Sequence, residues 1–129
     1  MTYLPDTNIL IDVINGKQGV KRLLSQLVLE GHELASCAVT VAEVHSGIQP
    51  ADTAKIQDFL SALHWYSITR AVAVRAGELR YAWARQGVTL ALSDALIAAT
   101  ALEYGMVLVT NNRKRFPMPE LRVYDEQAP

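Results

Sequence analysis

Two patterns of apolar positions alternate along the chain and predict its secondary structure. Residues 18–30 place an apolar side chain every three or four positions and stop at Gly31, which is typical of an amphipathic helix. Met106–Val109 is instead a short apolar run containing β-branched residues, which is typical of a buried strand. Pro5 lacks an N–H group, so it belongs at the end of a strand and not at its paired centre.

The two patterns extend over nearly the whole chain. They predict strands over residues 2–5, 33–37, 65–68, 106–109 and 122–124, the last at a sheet edge, and helices over residues 7–14, 18–30, 41–48, 51–63, 70–86 and 94–104. Strands separated by helices form parallel sheets with helices on both faces. We therefore expect residues 1–129 to form a single α/β domain, a three-layer α/β/α sandwich around a short, mostly parallel sheet.

The composition sets limits on the function and location. The chain has 129 residues, half of them hydrophobic, and a single cysteine, Cys37, so no internal disulfide can form. It shows neither a signal peptide nor the roughly 20 apolar residues that span a bilayer, and we expect a cytoplasmic protein with no membrane contact. The net charge of −1 is unlike that of most nucleic-acid-binding proteins. Any basic surface that binds a nucleic acid must then be a local cluster, and the best candidate is Arg113-Lys114-Arg115.

Three acidic residues are expected at the same edge of the sheet, each near the start of a helix. Asp6 follows the first strand, Glu43 follows the second, and Asp94 begins the helix before the fourth. Each has a structural explanation of its own. Asp6 is a suitable helix N-cap, Glu43 completes a capping box that begins at Thr40, and Asp94 follows a suitable N-cap in Ser93.

The coincidence of the three acids favours a functional explanation. Ligands bind beyond the carboxyl ends of parallel strands, where these acids are expected. Carboxylates that are brought together repel one another, and a hard divalent cation with oxygen ligands is the usual compensation. Asp6, Glu43 and Asp94 are therefore candidate ligands for Mg²⁺ or Mn²⁺.

Four segments, in order, resemble the motifs of PIN-domain ribonucleases. Asp6-Thr7-Asn8 resembles the opening D-T-N motif, and Glu43 followed by Gly47 resembles the second. The third is similar to the segment Asp94-Ala95-Leu96-Ile97-Ala98-Ala99-Thr100-Ala101, and the fourth to Thr110-Asn111-Asn112-Arg113-Lys114-Arg115-Phe116. Any one motif is weakly specific, but four in this order over a chain of this length are specific.

The resemblance implies a PIN-like fold and a metal-dependent endoribonuclease that acts as the toxin of a VapBC-type toxin–antitoxin pair. It implies Asp6, Glu43 and Asp94 as the catalytic and metal-binding acids, a structured RNA substrate such as tRNA or ribosomal RNA, a homodimer and a VapB-like antitoxin. Asn8 and Asn112 would orient ligands or the phosphate. Thr110 would orient a neighbouring acid, although an ordinary turn hydroxyl explains it equally well.

The fourth motif departs from the fullest family pattern. Many members carry an acid at the position of Asn112 or of Arg115, so a second metal ion is in doubt here. The run Arg113-Lys114-Arg115 would contact RNA phosphates, or else form a solvated surface. Two other functions stay open. One is a catalytically weak or inactive PIN scaffold that binds RNA or protein. The other is an aspartyl-phosphate phosphatase, although Asn8 occupies the position of its second acid.

Overall fold

A computed structural model describes residues 1–125 as an α/β fold of five strands and six α-helices. The last four positions of the predicted single domain lie outside the described residues. In chain order, the elements are β1 (Thr2–Pro5), α1 (Thr7–Ile14), α2 (Gln18–Leu29), β2 (Glu33–Cys37), α3 (Ala38–Ser46), α4 (Thr53–Ser61), β3 (His64–Tyr66), α5 (Arg70–Arg85), α6 (Leu92–Tyr104), β4 (Val107–Thr110) and β5 (Val123–Asp125). Short 3₁₀ turns cover Pro50–Asp52 and Arg113–Arg115.

The five strands form one sheet in the order β3-β2-β1-β4-β5, and every neighbouring pair is parallel. The mostly parallel sheet predicted from the sequence is confirmed, and β5 lies at an edge as expected. β1 is central, and Pro5 at its end is in register with Val109 of β4. The carboxyl ends of β1, β2 and β4 therefore lie side by side, which is where α/β proteins bind ligands.

Alternate residues of the central strands face opposite layers of helices. Leu4, Ala35 and Leu108 belong to a buried cluster with side chains of α5 and α6. Their neighbours Tyr3, Leu34 and Val109 belong to a second cluster with side chains of α2. This alternation produces the predicted three-layer sandwich, because each strand has an apolar side chain for both faces.

Two helices begin earlier in the chain than the sequence predicts. α3 begins at Ala38 and not at residue 41, and α6 begins at Leu92 and not at residue 94. At the other end of α6, Gly105 adopts a left-handed conformation with φ of 65°, which ends the helix and turns the chain toward β4. The early starts matter because they change the positions of Glu43 and Asp94 within their helices.

No helix among residues 1–125 is long and apolar enough to cross a bilayer.

Candidate active site at the carboxyl edge of the sheet

Asp6 is fixed at the centre of the edge by the junction between β1 and α1. It is the N-cap of α1, and its Oδ1 accepts a hydrogen bond of 3.0 Å from the Ile9 N–H, so the predicted cap is confirmed. The side chain is fully buried. Burial raises the pKa of Asp6 above its ordinary value, and hydrogen bonds from Thr110 and Ile9 and the charge of Arg115 oppose that rise. A buried carboxylate with this environment is costly to ionise and is a candidate functional group.

Thr110 connects the end of β4 to Asp6. Its hydroxyl donates to Asp6 Oδ2 over 2.6 Å and accepts the Asn112 N–H over 3.0 Å. The turn after β4 is held from α1 as well, because the Asn111 side-chain amide donates to Asp12 Oδ2 over 3.1 Å. Thr110 thus orients a neighbouring acid, as one of the two interpretations of its sequence position predicts.

Glu43 lies on α3, and its predicted role in a capping box is wrong. Cys37 is the N-cap of α3, and the hydroxyl of Thr40 bonds both backbone groups of Cys37, accepting from its N–H and donating to its C=O. Thr40 is therefore at the third helical position, and Glu43 lies one turn further along the helix. There, Glu43 Oε1 accepts the Thr7 hydroxyl over 2.6 Å. Thr7 directly follows Asp6 at the start of α1. Its hydrogen bond therefore holds the carboxylate of Glu43 at this end of the helix.

Asp94 lies in the first turn of α6, and the prediction that Ser93 caps this helix is also wrong. Ala91 has the extended N-cap conformation, so Ser93 and Asp94 are both inside the helix. The positive end of the helix favours a carboxylate there. Asp94 is buried and forms a two-bond ion pair with Arg115, in which Nε donates to Oδ2 over 3.1 Å and Nη2 donates to Oδ1.

The guanidinium of Arg115 lies within electrostatic range of all three acids. The hydrogen bond to Asp94 raises the pKa of Arg115, against the effect of partial burial, and the charges of Asp94, Asp6 and Glu43 raise it further. The charge of Asp94 in turn raises the pKa of Asp6. The structure thus places the guanidinium of Arg115 where the charges of all three predicted acids act on it.

The donor set suits a hard divalent cation, since carboxylate oxygens are the ligands that Mg²⁺ prefers. Within residues 1–125, however, no three acidic, histidine or cysteine side chains are gathered closely enough to hold a metal ion in the arrangement seen. Each acid has a separate partner: Asp6 has Thr110, Glu43 has Thr7 and Asp94 has Arg115. The residues fit the ion by chemistry, but Arg115 already donates a hydrogen bond to each carboxylate oxygen of Asp94.

The remaining predicted residues lie at the surface of this edge. The side chains of Asn8, Asn112, Arg113 and Lys114 are exposed, whereas Arg115 is half-buried on Asp94. The run Arg113-Lys114-Arg115 is therefore not a uniform basic patch, because its last member faces the acids. Sequence reasoning missed Thr7 and its bond to Glu43. The only feature of the sequence that pointed to Thr7 was its place in the D-T-N segment.

Comparison with known proteins identifies the family. The family model described as PIN domain matches residues 3–118, which include all three acids and Thr110. The chain belongs to the PIN-domain family.

Several PIN-domain relatives have names or known structures. Ribonuclease VapC19 of Mycobacterium tuberculosis is 34% identical over 122 residues, covering 92% of this chain and 96% of that protein. A Shigella flexneri relative named tRNA(fMet)-specific endonuclease VapC is 29% identical over 121 residues, covering 90% of each. In the crystal structure of Rickettsia felis VapBC2 bound to a DNA fragment from its promoter, one chain matches with a TM-score of 0.87 and 28% identity, covering 97% of this chain and 98% of that one.

The residues matched to the PIN-domain family span the whole of the site described above. Asp6, Glu43 and Asp94 all lie within the matched residues, and Thr110 donates a hydrogen bond to Asp6. The cation that faces them belongs to the protein itself.

Proposed function

We propose that this PIN domain is a metal-dependent endoribonuclease and the toxin of a type II toxin–antitoxin pair. The observation that carries the proposal is the arrangement of Asp6, Glu43 and Asp94 at one sheet edge, each held by a different hydrogen-bond donor. Relatives of similar length that bear the name ribonuclease or endonuclease VapC support the reaction class.

The reaction is hydrolysis of an RNA phosphodiester. The oxygen of a water molecule forms a bond to phosphorus as the water loses a proton. The bond from phosphorus to the 3′ oxygen breaks in line with it, and that oxygen takes up a proton and leaves as a hydroxyl. Asp6, Glu43 and Asp94 would hold Mg²⁺ or Mn²⁺. The ion would lower the pKa of a bound water and neutralise charge on the phosphate.

The protein's own groups position the reactants. The Ile9 N–H and the Thr110 hydroxyl hold both oxygens of Asp6, so this carboxylate has one orientation before any ligand arrives. The Thr7 hydroxyl does the same for one oxygen of Glu43. Asn8 and Asn112, exposed beside the acids, would orient the phosphate or the water, since a side-chain amide both donates and accepts.

We propose a structured RNA, such as tRNA or ribosomal RNA, as the substrate class. The relative from Shigella flexneri is named for a tRNA, which supports this choice. Arg113, Lys114 and Arg115 form the 3₁₀ turn after β4, within the fourth motif. The exposed side chains of Arg113 and Lys114 would contact the phosphate backbone, which positions an RNA without reading its sequence, and Arg115 would join them only when it leaves Asp94.

The same proposal includes two protein partners. Solved structures that match this chain come from VapBC toxin–antitoxin complexes, which supports a VapB-like antitoxin here. We also propose a homodimer, because large apolar side chains of β3 and α5 are exposed: Trp65, Val74 and Tyr81. An RNA-cleaving toxin acts where RNA is translated, so a cytoplasmic location belongs to the proposal as well.

An inactive scaffold that only binds RNA or protein is the second candidate. It is favoured by one observation, the ion pair between Arg115 and Asp94, which engages a carboxylate that catalysis needs. The two candidates differ in a single measurable property, cleavage of RNA.

The test is a cleavage assay with the purified full chain and a mixture of tRNA and ribosomal RNA. We expect cleavage in Mg²⁺ or Mn²⁺, no cleavage in EDTA, and a loss of at least about 100-fold in Asp94→Asn, in line with the loss of one key catalytic group. Asp58→Asn, which neutralises an exposed carboxylate on α4, is the matched control and should cleave like the wild type. Absence of cleavage by the folded wild type would favour the scaffold, whereas equal cleavage by Asp94→Asn would mean that the acidic site does not carry the reaction.

A further inference from the structure

Arg115 occupies the position in this site where a positive charge is most needed. Its guanidinium donates two hydrogen bonds to Asp94, whose side chain is only 8% exposed, and the charges of Asp6 and Glu43 act on it as well. A two-bond guanidinium–carboxylate pair is among the stronger polar contacts in proteins. In the absence of another cation, the guanidinium of Arg115 is what neutralises the charge of Asp94.

We propose that Arg115 is a built-in cation of this site: it holds Asp94 until a divalent ion binds, competes with that ion for Asp94, and takes the place of a second ion. The inference rests on the proposed function, because it concerns the same three acids and the same ion.

The charge balance supports a single divalent ion. With Asp6, Glu43 and Asp94 ionised and Arg115 protonated, the formal charge of the four groups is −2. One divalent ion brings it to zero, and a second would bring it to +2. An excess of positive charge among partly buried groups is unfavourable, because burial reduces the screening of charge by solvent.

The side chain of Arg115 can leave Asp94 while the backbone around it stays in place. Phe116, the next residue, is fully buried in the core beneath α6, and its N–H donates to Arg113 C=O over 2.9 Å. The backbone of Arg115 is therefore fixed. Its side chain, 28% exposed, has a solvent-facing side into which it can turn when Asp94 is taken by an ion.

Arg113 provides a matched control from the same turn. It carries the same charge two residues earlier in the chain, but its side chain is exposed. A general effect of removing one positive charge would be shared by both arginines. A competition for Asp94 belongs to Arg115 alone.

The experiment is a calorimetric titration of Mn²⁺ into the metal-free full chain, with no RNA present. We expect the wild type to bind one Mn²⁺ per chain. Arg115→Gln should also bind one, about tenfold more tightly (about 1.4 kcal/mol), because the ion no longer competes with a charged hydrogen-bond donor for Asp94. Arg113→Gln should bind as the wild type does. Thermal melts of each variant in EDTA establish that it is folded.

The possible results distinguish the role given to Arg115 from the proposed metal site of the three acids. Two Mn²⁺ ions per wild-type chain, an unchanged affinity in Arg115→Gln, or an equal gain in Arg113→Gln would overturn the role given to Arg115. Asp6→Asn reports on the site itself. If this variant binds Mn²⁺ as the wild type does, the acids do not form the metal site, and the proposed function and this inference both fail.

Discussion

Replacing Thr110 by valine removes the hydroxyl that holds Asp6 while keeping the size and branching of the side chain. The change deletes a 2.6 Å hydrogen bond to a fully buried carboxylate and an acceptor for the Asn112 N–H. Water can reach the exposed Asn112, but no water replaces the donor to Asp6 at a fully buried position without a new cavity. The loss at Asp6 therefore determines the cost.

The expected cost follows from the charge of the acceptor. A hydrogen bond to a charged group contributes about 1.5–3 kcal/mol, so Thr110→Val should lower the free energy of unfolding at neutral pH by about that amount. For a chain of this length, that corresponds to a fall in Tm of roughly 6–12 °C. Thr110→Ser keeps the hydroxyl and loses one methyl group, for which we expect a cost of about 1 kcal/mol.

The dependence on pH distinguishes this hydrogen bond from simple packing. Burial raises the pKa of Asp6 above the value of 3.8 expected for the unfolded chain, so the wild type loses stability as pH rises from about 3.8 through the raised folded-state pKa. The Thr110 bond limits that rise in pKa. Without it, the pKa of Asp6 rises further, and Thr110→Val should lose more stability than the wild type over the same increase in pH.

The assay is urea unfolding of the wild type, Thr110→Val and Thr110→Ser in EDTA at several pH values between about 4 and 8. We expect the difference between wild type and Thr110→Val to grow as pH rises. A difference that is constant with pH, or a Thr110→Ser variant as unstable as Thr110→Val, would refute the assigned role of the hydroxyl.

Three further predictions concern other parts of the site. Asp94→Asn should keep the fold but melt slightly lower than the wild type in EDTA, because Arg115 loses its charged partner; a higher melting temperature would mean that repulsion among the acids dominates. Expression of the wild type without an antitoxin should arrest growth, and Asp6→Ala should relieve the arrest; equal arrest would mean that toxicity is not catalytic. Replacing Arg113 and Lys114 together by alanine should reduce the salt dependence of RNA affinity, measured in Ca²⁺, by up to about one unit of log–log slope per contact, and an unchanged slope would exclude these residues as phosphate contacts.

The sequence is sufficient to predict the order of elements and the parallel sheet, because those depend on local apolar periodicity. It also predicts the cap at Asp6, since aspartate is among the preferred N-cap residues and this one lies between a strand and a helix. The predicted boundaries fail where side-chain chemistry is unusual. A cysteine with an extended backbone, Cys37, is the N-cap of α3, and Thr40 bonds back to it, so the threonine is inside the helix that it was expected to cap.

The contacts that define the site could not be predicted, because they join distant positions. Thr7 and Glu43 are 36 residues apart, and Asp94 and Arg115 are 21 apart. Composition and spacing indicate which charges are present but not which of them pair. For that reason, the sequence places Arg115 with Arg113 and Lys114 as a possible RNA contact, whereas the structure turns it toward the acids.

The chemical identity of the RNA ends after cleavage tests the central claim most directly. Water attack in line with the 3′ oxygen, at a site made of Asp6, Glu43 and Asp94, leaves a 5′-phosphate on one fragment and a 3′-hydroxyl on the other. Both ends can be identified by mass spectrometry of a short RNA substrate cut by the purified wild type in Mg²⁺. We expect these two ends and no others. A 2′,3′-cyclic phosphate with a 5′-hydroxyl would show that the RNA's own 2′-hydroxyl is the nucleophile, and would contradict the account.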